Sequence, residues 1–216
     1  MSNSKAPAAG EWTVADLLAH FGPVPFRRVR PTPAPGTATE QDVLDIHHRE
    51  DRLYELSDGV LLEKDSGVQE SYLAASIGGA LQGFAHRQDL GFVLGADGMT
   101  RLAPGLLRIP DASFVSWGRL GHRRVPHLTI LPFAPDLAVE VVGSGNTTEE
   151  MDRKRHEYIR TGVALVWYVD PVSRAVRVFR STGQAAVLRE GDDLTGDPVL
   201  PGFILPVCDL FAELES

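Results

Sequence analysis

A lone carboxylate, Glu140, interrupts the apolar run Leu137-Ala-Val-Glu-Val-Val142. A charge inside an apolar strand is costly unless a cation or a metal ion compensates it. A mid-strand position also holds the side chain rigid, as a catalytic ligand requires. The alternative is a glutamate in an ion pair at the end of a sheet. Two Pro-Asp pairs, Pro110-Asp111 and Pro135-Asp136, offer a second acid. Asp136 stands four positions before Glu140 on one strand, so at about 3.3 Å per residue their attachment points are roughly 13 Å apart. Oxygens that share a cation must approach it to about 2.0–2.6 Å, which strains that pair. Asp111 can instead enter from a neighbouring strand, leaving Asp136 to cap or open its own. Lys154 is the third candidate, in the helix that follows the Glu140 strand. The link Gly143-Ser-Gly-Asn146 is short enough to fold that helix back beside the sheet. A lysine there can stabilise charge developing on a phosphate or orient a water. An exposed helix lysine is the plain alternative.

Other chemistries find less support. The single cysteine, Cys208, can form neither an internal disulfide nor a multi-cysteine zinc site. Its apolar surroundings, Ile204 to Phe211, predict a buried core thiol. No His-x-x-x-His pair occurs, and His47 and His48 are adjacent, so their rings point apart in an extended segment. The Gly143–Asn146 link has no lysine placed for a phosphate-binding loop. Arg119, His122, Arg123 and Arg124 form a basic loop that suits either DNA contact or plain solvation. The net charge of −8 argues against coating nucleic acid by bulk attraction, but a carboxylate-lined cation site would itself add negative charge.

These candidates need elements to hold them, and 216 residues with 43% hydrophobic content supply one packed domain with a short appendage. Residues 1–10 read as disordered. Trp12 to Phe21 predicts a short helix capped by Thr13 and ended by Gly22. Prolines at 23, 25, 31, 33 and 35 make the next stretch a strap. The compact domain is placed from residue 45. Arg52–Leu56 and Val60–Glu63 flank Ser57-Asp-Gly59, a hairpin signal. Gln69 to about Gln88 has helical periodicity through Leu73, Ile77, Leu81 and Phe84. Short strands follow near 91–95, 99–102, 106–108 and 112–117, then the Glu140 strand, a helix from Thr147/Thr148 to Thr161, and a hairpin across Asp170–Ser173. The order gives a mixed α/β fold with a sheet flanked by helices. No apolar run approaches the roughly 20 residues that cross a bilayer, and Met1–Gly10 lacks the order of a secretory signal, so a cytoplasmic protein is expected.

Taken together, Pro110-Asp111, Glu140-Val-Val142, Lys154 with Tyr158 four residues on, Gly162-Val163, Trp167 and Val169-Asp170-Pro171 resemble the Uma-type putative restriction endonucleases, a branch of the PD-(D/E)XK nuclease superfamily. Tyr54-Glu-Leu-Ser-Asp-Gly59, leading to Glu63, resembles that family's opening hairpin. The superfamily pattern sets a lysine two residues after the strand glutamate. Here that position is Val142, so the resemblance implies that Lys154 takes the role from the following helix. It also implies an acid near the start of the fold, which makes Glu63 a candidate metal ligand beside Asp111 and Glu140. A surface hairpin glutamate is the equal alternative. The histidine this branch often shows near the start of its first long helix is missing from Val68-Gln-Glu-Ser-Tyr72. Gln69 or Glu70 substitutes, or the contact is absent.

The resemblance therefore implies a restriction-endonuclease-like domain over residues 45–216, preceded by an N-terminal helix and Pro-rich strap over 1–44. It implies metal-dependent hydrolysis of phosphodiester bonds in DNA. Asp111, Glu140 and Lys154 are the catalytic residues, Mg²⁺ is the cofactor with Mn²⁺ able to substitute, and a homodimer is the assembly. The competing expectation is a non-catalytic module that binds nucleic acid or protein and retains the fold. The strap is expected to add little to the site.

Overall fold

A computed structural model describes residues 10–215, so the disorder expected for residues 1–9 lies outside it. Helix α1 (Val14–Phe21) begins where Thr13 and Asp16 cap each other reciprocally and ends at Gly22. A short 3-10 turn, Phe26–Arg28, leads through the proline-rich strap to α2 (Glu40–Glu50), which Thr39 and Asp42 cap in the same way. The boundary expected at residues 44/45 thus falls inside a helix. The charged composition of α2 masks it, because only Val43 and Ile46 are buried.

Strands β1 (Tyr54–Ser57) and β2 (Val60–Glu63) form the first hairpin, and α3 (Val68–Arg87) follows. Then come β3 (Gly91–Leu94), β4 (Met99–Ala103), β5 (Leu106–Arg108), β6 (Ala112–Ser116), the short α4 (Trp117–Leu120) and β7 (Ile130–Leu131). Strand β8 (Leu137–Val141) connects through α5 (Thr148–Arg160) to β9 (Leu165–Asp170). The chain closes with β10 (Ala175–Arg180), β11 (Ala185–Leu188), β12 (Asp193–Thr195), β13 (Ile204–Pro206) and α6 (Val207–Phe211).

The main sheet has six strands in the order β11-β10-β9-β8-β6-β3. Only β8 and β9 run parallel, and α5 is their crossover. Alternation along the central strands sends Val139, Leu165, Trp167 and Val169 toward α3, where Leu73, Ile77 and Leu81 complete an apolar core. Ala138, Val166 and Tyr168 face α5 instead. A second sheet, β2-β1-β5-β4-β7, packs Tyr54, Leu56 and Leu107 against Val43 and Ile46 of α2.

Two expectations change here. The N-terminal segment is not peripheral: Leu17 and Phe21 of α1 and Val24 of the strap pack on Val60 and Leu62, and Arg28 is buried. Cys208 is exposed rather than a core thiol, because Val207, Leu210 and Phe211 take the inward face of α6. Among the described residues no helix is long and apolar enough to cross a membrane.

Candidate active site

Asp111 and Glu140 meet because of how β6 begins. Pro110 has no N–H to continue a ladder. At Asp111 the main chain still donates to the Val139 carbonyl at 2.9 Å. Beyond it the Asp111 side chain takes over, and Oδ2 accepts the Val141 N–H at 2.6 Å. The ladder pairs Ala112 with Val139, so Asp111, one residue before β6, comes beside Glu140, near enough for its charge to act on that carboxyl. Both acids are buried, Asp111 at 7% and Glu140 at 4% exposure.

Lys154 arrives by a different route. Asn146 Oδ1 accepts the Gly143 N–H at 2.9 Å and tightens the link after β8. Thr147 then caps α5 through the Glu150 N–H at 3.1 Å. That start fixes the helical phase, so Glu150, Lys154, Glu157 and Tyr158 share the buried face. The Lys154 ammonium lies 3.2 and 3.3 Å from the Glu140 oxygens and 3.0 Å from Glu55 Oε1. Tyr158 donates to Glu140 Oε1 at 2.5 Å, so it steadies the acid rather than the lysine.

Sequence reasoning missed Glu55, Arg108 and Lys64. Glu55 accepts from the Ile109 N–H at 3.1 Å and from Arg108 at 3.0 Å, besides Lys154. Arg108 also binds Glu157, with Nε at 2.8 Å from Oε2. Lys64 Nζ sits 2.8 Å from Asp111 Oδ1 and donates to the Ile109 carbonyl at 2.6 Å. Glu55 and Arg108 carried the same signal that marked Glu140, a charge inside an apolar strand, at Tyr54-Glu-Leu56 and Leu106-Leu-Arg-Ile109. Lys64 had no such signal.

The other sequence candidates lie elsewhere. Glu63 does not join Asp111 and Glu140, since Arg52 Nε holds its carboxylate at 2.7 Å. Asp136 sits at the opposite end of β8, where it accepts from the Ser116 N–H at 2.8 Å and from Arg119 at 2.7 Å. That is the capping role expected of it. Glu70 lies in the first turn of α3, so close to the chain after β8 that a Cβ on Gly143 would come within 2.9 Å of its carboxylate. Gln69 is exposed. The basic loop is partly neutralised, Arg119 by Asp136 and Arg123 by Asp89.

The electrostatics follow from the burial. Burial opposes ionisation of Glu55, but Lys154 and Arg108 outweigh it and hold the carboxyl at about 2. For Glu140 burial prevails, aided by the charges of Glu55 and Asp111, and its carboxyl is raised despite Lys154. Burial also works against the charged form of Lys154, yet Glu140, Glu55 and Glu150 keep the ammonium more firmly protonated than usual. Arg28 extends the network with paired bonds of 2.8 and 2.9 Å to Glu150. Five carboxylates (Glu55, Asp111, Glu140, Glu150, Glu157) therefore face four cations (Arg28, Lys64, Arg108, Lys154).

The fold is a mixed α/β one, in which a sheet with a parallel crossover brings buried acids of adjacent segments to a lysine on the crossover helix. A crystal structure of a putative nuclease from Anabaena variabilis matches this chain with a TM-score of 0.66 at 16% identity, covering 75% of this chain and 91% of that one. Residues 40–208 match the family model Uma2, described as putative restriction endonuclease, and the chain belongs to that family. No curated protein matches it.

Proposed function

We propose that this protein is a metal-dependent endonuclease acting on DNA, with Asp111 and Glu140 as the cation ligands and Lys154 as the group that stabilises the reacting phosphate. One observation carries the reading: the Asp111 carboxylate accepts the Val141 N–H beside Glu140, and Lys154 reaches the Glu140 carboxylate from the crossover helix. The donor set fits a hard divalent ion. Mg²⁺ takes one or two protein carboxylates and leaves its other positions to water and phosphate. Among the described residues no group of three or more His, Cys, Asp or Glu side chains is arranged to hold a metal, so the proposal rests on two carboxylates, with water and phosphate completing the shell. Bound there, Mg²⁺ or Mn²⁺ would lower the pKa of a bound water and neutralise charge on the phosphate.

The chain's own groups have distinct tasks. Tyr158 fixes Glu140 Oε1, so the acid cannot rotate away from Asp111. Glu55 is a positioning residue, because its oxygens are engaged by Lys154, Arg108 and the Ile109 N–H. It holds Lys154 charged and in place. The Lys154 ammonium spreads its three N–H donors over Glu55 and Glu140, and can turn one from Glu140 to a phosphate oxygen as negative charge builds. Lys64 compensates Asp111 from the other side. Cutting both strands of a duplex calls for two such centres, which is the reason to expect a homodimer. Plasmid nicking with Mg²⁺ or Mn²⁺ tests the reading. Wild type should cut and Asp111→Asn should not, whereas wild type that binds DNA and never cuts it supports a non-catalytic binding module.

A further inference from the structure

On the flank of α5 opposite Lys154, a cleft of about 470 Å³ opens against the β10–β11 hairpin. Its walls carry Arg155, Arg160, Arg177 and Arg180, and its one acid, Asp152, lies 3.3 Å from Arg155. Elsewhere among the described residues most arginines meet a carboxylate, Arg28, Arg101, Arg108, Arg119 and Arg174 among them, and those that do not, Arg87, Arg124, Arg153 and Arg189, are not gathered in one cleft. Among the described residues, Arg160, Arg177 and Arg180 have no carboxylate in ion-pair range. In a chain of net charge −8, three uncompensated guanidiniums lining one cleft form a local positive patch. Two guanidiniums in the cleft are also held against aromatic rings, Arg155 over Phe179 at 5.1 Å and Arg177 over Tyr168 at 5.7 Å. Such stacking fixes them at little further entropic cost, and their planar donors match phosphate oxygens.

The register ties this cleft to the acid pair. Glu140 pairs with Tyr168, and Tyr168 pairs with Arg177, so the three form one row across β8, β9 and β10. Two strand spacings put Arg177 about 10 Å from Glu140, with α5 lying over the row between them. Tyr168 anchors the helix there by donating to the Met151 carbonyl at 2.6 Å. A mononucleotide at Glu140 cannot reach round a helix about 10 Å wide, whereas a phosphodiester polymer can.

We infer that the α5/β10–β11 cleft is a second phosphate-backbone site, which grips DNA away from the scission centre. The inference rests on the nuclease reading for the choice of polymer, and its test is separable from that reading. Binding of a short duplex to the full chain in EDTA is followed by fluorescence anisotropy over a salt series. Arg177→Gln/Arg180→Gln should weaken binding about tenfold or more and reduce the salt slope by about two, close to one for each phosphate no longer neutralised. Arg177→Lys/Arg180→Lys should keep the slope, and thermal melts should show all three proteins folded. Unchanged affinity and slope in the glutamine variant overturn the cleft site, while Glu140-dependent plasmid cleavage by wild type would leave the nuclease reading standing. Arginine-dependent binding without any wild-type cleavage keeps the cleft and sinks the nuclease. Wild type that binds poly-L-glutamate through these arginines, and no DNA, makes the cleft a protein-docking surface and overturns the proposal.

Discussion

The two faces of the six-stranded sheet are built from the same strands and have opposite chemistry. Toward α3, Val139, Trp167 and Val169 meet Leu73 and Ile77 in an apolar core. Toward α5, one residue along β8, Glu140 enters a network of five buried carboxylates and four buried or part-buried cations. Apolar burial stabilises by about 25 cal/mol per Å² and needs no partner. A buried ion pair roughly breaks even and becomes expensive once one member is removed. The α3 face therefore holds the fold, and the α5 face gives up stability to place charge.

The largest expected contrast comes from neighbouring residues of β8. Glu140→Gln should lower DNA cleavage by about 10³-fold or more, since a cation ligand and the Lys154 partner go together. Val139→Ala should cost about 1–3 kcal/mol of stability and leave cleavage within a few-fold. Equal cleavage loss in both variants, measured on plasmid substrate, would erase the division between faces.

Arg108→Met strips Glu55 and Glu157 of their common partner and should destabilise the protein by about 3–5 kcal/mol in urea unfolding. A loss no larger than that of a surface arginine would mean that water already compensates these acids. Lys154→Ala should reduce cleavage by about 10²-fold while calorimetry finds Mn²⁺ affinity within a few-fold of wild type. Arg153, stacked on Phe21 of α1 at 5.0 Å, is the control, and Arg153→Ala should cut as wild type does. Cleavage abolished in the control and kept in Lys154→Ala would reject the helix lysine.

The smallest effect is on pH dependence, and it has two signs. The folded-state pKa of Glu55 is depressed to about 2, so its contribution is present above the unfolded carboxylate value and lost as pH falls toward 2. The Glu140 pKa is raised, so the folded state binds its proton first, and a fall in pH just above the ordinary carboxylate range stabilises the fold. Unfolding of Glu55→Gln and Glu140→Gln across acid pH should remove opposite slopes. Slopes of one sign in both would show that the two acids do not differ.

How much of this was legible in the sequence depended on whether a residue broke a local rule. Glu140 did so, as a charge in an apolar run, and Pro110-Asp111 did so as a proline opening a strand. Strand and helix order followed from periodicity and caps, with α5 set by Thr147. Glu55 broke the same rule as Glu140 on β1, but the hairpin signal beside it drew attention to Glu63, which pairs with Arg52. Arg28 was hidden by the proline-rich strap, whose local sequence says nothing of Glu150 more than a hundred residues later. Lys64 was equally hidden, because a lysine after a surface hairpin has no pattern to break. Interactions set by packing between distant segments leave no local trace.

The most direct test of the central claim is an anomalous difference map from crystals of the wild-type protein soaked in Mn²⁺. One peak is expected, bounded by the Asp111 and Glu140 carboxylates and absent in Glu140→Gln. A peak elsewhere, at Glu63 or Asp136 for example, or no peak between Asp111 and Glu140 in wild type, would contradict it.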